Sequence, residues 1–171
     1  SQQAAGKGVN VSRALAASGV ANLAILPGDP EDPVITGLRQ DGLAYVGLPI
    51  GQALRSNITL TEPDGTTTKI NAPGAPLGPE HVDAVVELLV HRGAHASWVV
   101  LAGSLPPGAP EDVYARIVRR VRAALGERSP RFAVDTSGAA LRGAVSGDDA
   151  LPDLIKPNGE ELAELGGTVD G

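Results

Sequence analysis

The chain has no cysteine and no methionine, one tryptophan, one phenylalanine and two tyrosines. Without cysteine, disulfides, thiolate nucleophiles and thiolate metal sites are excluded. Aromatic residues make up 2% of the sequence and no basic run offsets a net charge of −6, which argues against nucleic acid as a partner. No apolar run approaches about 18 residues, so no membrane-spanning helix is expected. Ser1-Gln2-Gln3 is polar and uncharged, unlike the start of a signal peptide, and the expected compartment is the cytoplasm. The missing methionine, a first glycine motif with no strand before it and a close at Gly166-Gly167 just past a short helix lead to a further expectation: the sequence is a piece of a longer protein.

Lysine is scarce too. Of 14 basic residues only Lys7, Lys69 and Lys156 are lysine. Lys7 and Lys156 both fall in glycine- or proline-marked turns that lead into helices. Lysine is a compact point charge where arginine is a flat fork, and helix N-termini attract anions. An ammonium beside such a terminus makes a phosphate site.

What is present is a 42% hydrophobic composition in 171 residues, enough for one sizeable core. Val11, Ala14 and Leu15 mark a helix over about 9–18, followed by a short strand over 22–26 and a helix carrying Val34, Ile35 and Leu38. Ala44–Leu48 reads as the next strand. The pattern then changes. Residues 57–62 alternate polar and apolar, turn at Pro63-Asp64-Gly65, and resume over 66–71, which is a hairpin with one wet face. Val82, Val85, Val86 and Leu89 mark a helix behind Pro79. Trp98–Ala102 is apolar throughout, as for a strand buried on both faces. Helices over about 110–125, 138–144 and 158–165 alternate with strands at 131–134 and 151–155. This order predicts a parallel sheet with helices on both faces, whose ligands bind beyond the carboxyl ends of the strands. Trp98, Tyr45, Tyr114 and Phe132 are read as packing in or against the core.

Three turns carry chemistry. Gly6-Lys7-Gly8-Val9-Asn10 is neither a Walker A loop, which needs Ser or Thr after Gly-Lys, nor a dinucleotide fingerprint, which needs a third glycine. Its glycines allow close backbone approach, Lys7 neutralises an anion, and Asn10 offers donor and acceptor to a polar ligand. Gly103-Ser104-Leu105-Pro106-Pro107-Gly108 is a stiffened strand-to-helix turn that presents amide and hydroxyl donors. Lys156-Pro157-Asn158-Gly159-Glu160-Glu161 places Asn158 at an N-cap with Glu161 three residues on. That spacing often only caps a helix, as a capping box; its functional reading is two oxygens around a hydrated magnesium ion. Asp135-Thr136-Ser137-Gly138 reads as a strand end entering a helix, with Asp135 near the ligand. Leu141 rules that segment out as a loop bearing a general base. His91 and His95 straddle Gly93 at a helix end and are not read as metal ligands.

Assembled in order, Ala5-Gly6-Lys7-Gly8-Val9-Asn10-Val11, Arg55-Ser56-Asn57, Pro73-Gly74, the 103–108 loop, Asp135-Thr136-Ser137-Gly138 and Lys156-Pro157-Asn158 with Glu161 make the chain resemble the ribokinase-like (PfkB-type) carbohydrate kinases. The resemblance covers essentially all 171 residues. It is strongest to the branch that phosphorylates hexose phosphates, such as 1-phosphofructokinase and tagatose-6-phosphate kinase. It implies an α/β three-layer sandwich with a mainly parallel sheet and a small β lid, here as a partial fold over 1–171 with the lid at about 44–74. It implies ATP and Mg2+, and transfer of a phosphoryl group to a hydroxyl of a ketohexose phosphate.

The resemblance also assigns roles. Gly6, Lys7, Asn10, Arg55 and Ser104 would bind substrate, with Arg55 on the phosphate already present. Lys156 and Asn158 would meet ATP, and Asn158 with Glu161 would organise the metal. The hairpin would close over the site and pair with a second copy in a homodimer. By the same resemblance the amino-terminal strand and the carboxy-terminal half are missing, no residue here is the catalytic base, and this stretch alone is expected to be inactive. A non-catalytic sugar-phosphate-binding module is the alternative. A dinucleotide-dependent oxidoreductase is disfavoured by the absent glycine fingerprint.

Overall fold

The computed structural model describes residues 6–52, 57–61, 67–71, 76–147 and 149–166, with the backbone alone for the two five-residue runs. In chain order the elements are α1 (Lys7–Ala17), β1 (Ala24–Pro27), α2 (Pro33–Gln40), β2 (Tyr45–Leu48), β3 (Asn57–Thr61), β4 (Thr67–Asn71), α3 (Pro79–Gly93), β5 (Trp98–Ala102), α4 (Val113–Leu125), β6 (Arg131–Asp135), α5 (Gly138–Ala144), β7 (Leu154–Ile155) and α6 (Gly159–Glu164). β1 and β2 pair in parallel, β3 and β4 antiparallel, and β5-β6-β7 form a parallel three-stranded sheet. The fold is α/β, with parallel strand pairs alternating with helices.

Local chemistry explains the helix starts. α2 has Pro33 at its first position, and the Asp32 carboxylate accepts the Val34 N–H at 2.8 Å, a side-chain cap. α3 also begins on proline, and His81 Nδ1 accepts the Gly78 N–H at 3.0 Å. α4 is the most strongly two-faced element. Val113, Ile117, Val118, Val121 and Leu125 are buried at helical spacing. Its arginines point the other way, and each reaches an aspartate: Arg116 to Asp112, Arg119 to Asp149, Arg120 to Asp83 and Arg122 to Asp153. α4 starts at Val113 rather than near Pro110 because residues 110–113 close a turn first, with the Val113 N–H on the Pro110 carbonyl at 3.1 Å.

The main core joins Val86 and Leu89 of α3, the apolar stripe of α4, Leu101 of β5, Phe132 and Val134 of β6 and Ala144 of α5. All of these lie on one side of the β5-β6-β7 sheet. The other side differs from the sequence reading. Trp98 is 42% exposed, Val100 41% and Leu154 54%. The register sets Val100 beside Ala133 and Ala133 beside Leu154, so these residues form one apolar row across the sheet. An unbroken apolar run signals cover on both faces, but among the described residues α3 and α4 cover only one. Trp98 is not a core residue; its ring lies under the Arg131 guanidinium at 5.5 Å. β7 is also shorter than the 151–155 run. Pro152 has no N–H to give a ladder, and Asp153 substitutes for one: its N–H meets the Phe132 carbonyl at 2.8 Å and its carboxylate accepts the Phe132 N–H at 2.7 Å.

No helix among the described residues is long and apolar enough to cross a membrane.

Candidate functional site

Because β5, β6 and β7 are parallel, their carboxyl ends share one edge. That edge carries Gly103, Asp135 and Lys156, the residues that end or immediately follow the three strands. The first turn of α1 joins them. Lys7 Nζ lies 3.1 Å from Asp135 Oδ1, and Lys156 Nζ lies 3.5 Å from the same oxygen. Two of the three lysines in the chain therefore converge on one carboxylate, across 128 and 21 residues of sequence. Asp135 is the sheltered member, its side chain 16% exposed against 45% for Lys7 and 74% for Lys156. Ion pairs this open to water contribute little stability, so the cluster is poorly explained as a structural clamp. Its formal charge is +1, and it suits an anion.

α1 adds to that charge. Its N-cap is Gly6 at φ +150°, which brings no side chain to cap the helix, and the orphan N–H groups of a first turn favour an anion. Asn10 is on this turn, its side chain exposed and without a hydrogen-bond partner among the described residues.

Gly103 ties the neighbouring loop to the cluster. Its N–H donates to the Asp135 carbonyl at 3.0 Å, and its own carbonyl accepts from Thr136 Oγ1 at 2.8 Å and from Tyr114 Oη at 2.9 Å. Ser104 follows and is exposed. Burial, and secondarily the negative charge of Asp135, push the Tyr114 hydroxyl up to about 12. Tyr114 therefore remains a neutral donor throughout the physiological range.

Beyond Lys156, Asn158 caps α6 through the reciprocal pair named in the sequence. Asn158 Oδ1 accepts the Glu161 N–H and Glu161 Oε2 accepts the Asn158 N–H, both at 2.8 Å. Each side chain thus spends one acceptor site on the cap and keeps others. Both are hard oxygen donors at an exposed turn, and among the described residues no cluster of three His, Cys, Asp or Glu could enclose a metal. Such a pair fits a magnesium ion held through its own waters, not one stripped of them.

A separate groove of about 360 Å³ lies beyond β1 and β2, lined by Asp29, Glu31, Asp32, Pro33, Gly51 and Gln52. Its acidic wall repels phosphate. Asp29 and Asp32 also serve the backbone there, accepting the N–H groups of Ile50 and Val34. The lysine cluster has the opposite charge and suits an anion.

Of the residues singled out by sequence, Gly6, Lys7 and Asn10 share one turn, Lys7 and Lys156 meet on Asp135, Ser104 is tied in through Gly103, and Asn158 and Glu161 sit one turn past Lys156. Arg55 lies outside the described residues. The sequence reading gave Tyr114 and Thr136 no role in the site. Tyr114 was read as packing in or against the core because a lone tyrosine on an apolar helix face carries no other signal. Thr136 followed a noticed aspartate but had no spacing to mark it.

Residues 1–170 match the pfkB family carbohydrate kinase description. The chain is 37% identical over 173 residues to 1-phosphofructokinase of Rhodobacter capsulatus, which covers 98% of this chain and 52% of that protein. It also resembles the tetrameric inhibited form of phosphofructokinase-2 from Escherichia coli, with a TM-score of 0.78 and 27% identity over 96% of this chain and 53% of that one. Ribokinase from Giardia lamblia shares the fold alone, at a TM-score of 0.55 and 18% identity over 87% of this chain and 47% of that one. The chain spans about half the length of the curated relatives it matches.

Proposed function

The chain belongs to the pfkB family of carbohydrate kinases, and on that premise we propose that the protein carrying it transfers the γ-phosphoryl group of ATP to a hydroxyl of a ketohexose phosphate, in the cytoplasm, as a 1-phosphofructokinase. The single observation that carries the reading is the convergence of Lys7 and Lys156 on Asp135 at the sheet edge. One lysine comes from the glycine turn assigned to the sugar and the other from the turn assigned to ATP. The transferring phosphate of ATP and the sugar that accepts it would thus meet over one cationic spot. Phosphoryl transfer needs little covalent help from the protein; it needs positioning and charge stabilisation.

Gly6 and Gly8 let the sugar approach the α1 backbone, and Asn10 and Lys7 hold the sugar itself. Arg55 takes the phosphate already on the sugar with a two-pronged contact. Ser104 lines the same side. Lys156 and Asn158 meet the ATP phosphates. Asn158 and Glu161 would hold magnesium through water, and the ion would supply neutralisation of the charge on the transferring phosphate. The β3–β4 hairpin, within a lid spanning about 44–74, excludes water on closure and pairs with a second copy. The homodimer so proposed differs from the tetramer named for the Escherichia coli relative. The base that takes the proton of the attacked hydroxyl comes from the rest of the protein.

The test is a substrate survey of the full-length protein with ATP and fructose 1-phosphate, fructose 6-phosphate, tagatose 6-phosphate, free fructose and ribose. Turnover of a ketohexose phosphate above the free sugars is the expected result. Faster turnover of ribose or free fructose would overturn the phosphosugar assignment, and tight sugar-phosphate binding without turnover would favour a non-catalytic sensor.

A further inference from the structure

Two hydroxyls donate to one carbonyl beside the lysine cluster, and the proposed substrate geometry leaves that arrangement unused. Thr136 is 1% exposed, and its Oγ1 meets the Gly103 oxygen at 2.8 Å while Tyr114 Oη meets it at 2.9 Å. The Gly103 carbonyl is therefore turned inward. The Gly103–Ser104 peptide is trans, as the described chain has no cis bond. In a trans peptide the C=O and the following N–H point in opposite directions. The Ser104 N–H is thus directed away from the two hydroxyls, on an exposed residue, and has no hydrogen-bond partner among the described residues.

Gly103 sits at φ +109°, with nothing within 4 Å of the place a Cβ would occupy. A glycine in open space turns its peptide easily. One donor would leave that peptide able to flip, and a flip would present a carbonyl oxygen where an amide had been. Toward an anion this exchanges attraction for repulsion. Burial and the Asp135 charge keep the Tyr114 proton in place up to about pH 12, so the clamp does not open by titration at working pH.

We infer that Tyr114 and Thr136 are positioning residues: their hydroxyls lock the Gly103 carbonyl inward so that the Ser104 N–H stands as a fixed donor to a phosphate oxygen of the substrates. The inference rests on the proposed kinase reading for the identity of that phosphate, which belongs either to the sugar phosphate or to ATP.

The test uses Tyr114→Phe, Thr136→Val and Thr136→Ser in the full-length protein, with KM measured separately for fructose 1-phosphate and for ATP. The first two variants should each raise one KM about three- to tenfold, the equivalent of one ordinary hydrogen bond, with kcat less affected. Thr136→Ser, which keeps the hydroxyl, should return most of the loss. A rise confined to the fructose 1-phosphate arm assigns the amide to the acceptor, and a rise confined to the ATP arm assigns it to the donor; either sustains the clamp. A second readout is the Ser104 amide resonance during titration with inorganic phosphate. It should shift in the wild type and shift less in Tyr114→Phe. Unchanged KM in both arms with folded variants, or a Ser104 amide indifferent to phosphate in the wild type, overturns the inference. If the wild type turns over no sugar phosphate, the kinase reading falls by itself, and the phosphate titration still decides the clamp.

Discussion

Gly143→Ala should destabilise the protein, although alanine is the better helix former. Gly143 lies inside α5, where replacing glycine by alanine ordinarily gains about 0.5–1 kcal/mol. A Cβ at this position would fall 2.1 Å from the Glu111 carbonyl oxygen, 2.5 Å from the Glu111 carbonyl carbon and 2.9 Å from the Asp112 nitrogen. All three are backbone atoms and cannot rotate aside. To restore the 3.4 Å of ordinary contact, α5 must move off the segment that leads into α4. Overpacking of this kind costs about 1–3 kcal/mol, and a backbone obstacle puts the cost at the upper end. The net expectation is a loss of about 2–2.5 kcal/mol after the propensity gain is subtracted. Gly159→Ala is the control: it lies in α6 with nothing within 4 Å of the new Cβ, so it should be neutral or mildly stabilising. Urea unfolding of the full-length protein and both variants measures the difference. α5 begins two residues after Thr136, so Gly143→Ala should also raise substrate KM. Equal stabilisation by both substitutions would refute the close approach of α5 to Glu111.

Three further outcomes are expected. Arg55→Ala in the full-length protein should raise KM for the phosphorylated sugar about ten- to a hundredfold, the loss of one charge-assisted contact, and an unchanged KM would remove Arg55 from the site. Absorbance titration should show a tyrosine ionising near pH 12 that disappears in Tyr114→Phe. Because that folded pKa is raised, the stability linked to it is complete below pH 10, near the free tyrosine value, and is lost as pH rises toward 12; a normal titration would mean Tyr114 is not buried. Residues 1–171 expressed alone should show no sugar-dependent ADP release, since the proposed base lies elsewhere, and measurable turnover would relocate it into this chain.

Elements with strong periodicity were legible in the sequence. The valines and isoleucine of α4 recur at helical spacing, and the alternation on either side of Pro63-Asp64-Gly65 corresponds to the observed antiparallel pair of β3 and β4. β5 misled because an apolar run reports how hydrophobic a strand is, not what covers it. The length of β7 was misread because a side chain, that of Asp153, does the work of a ladder partner. At the site, the two lysines stood out by their rarity, but their meeting on Asp135 depends on parallel strand ends that only the fold brings together. The clamp on Gly103 was illegible for a related reason. It needs Tyr114 from a helix and Thr136 from beyond the next strand, and neither belongs to a motif of its own.

The uncovered row of Trp98, Val100, Ala133 and Leu154 bears on heat capacity. The rise in heat capacity on unfolding, about 12–15 cal/mol/K per residue in ordinary domains, comes from apolar surface newly met by water. Large parts of Trp98, Val100 and Leu154 already meet water in the described fold, so residues 1–171 studied alone should fall below that range. The denaturant slope should be shallow for the same reason. A small heat-capacity change flattens the stability curve, so the stretch would be weak across a wide span of temperature instead of failing sharply at one.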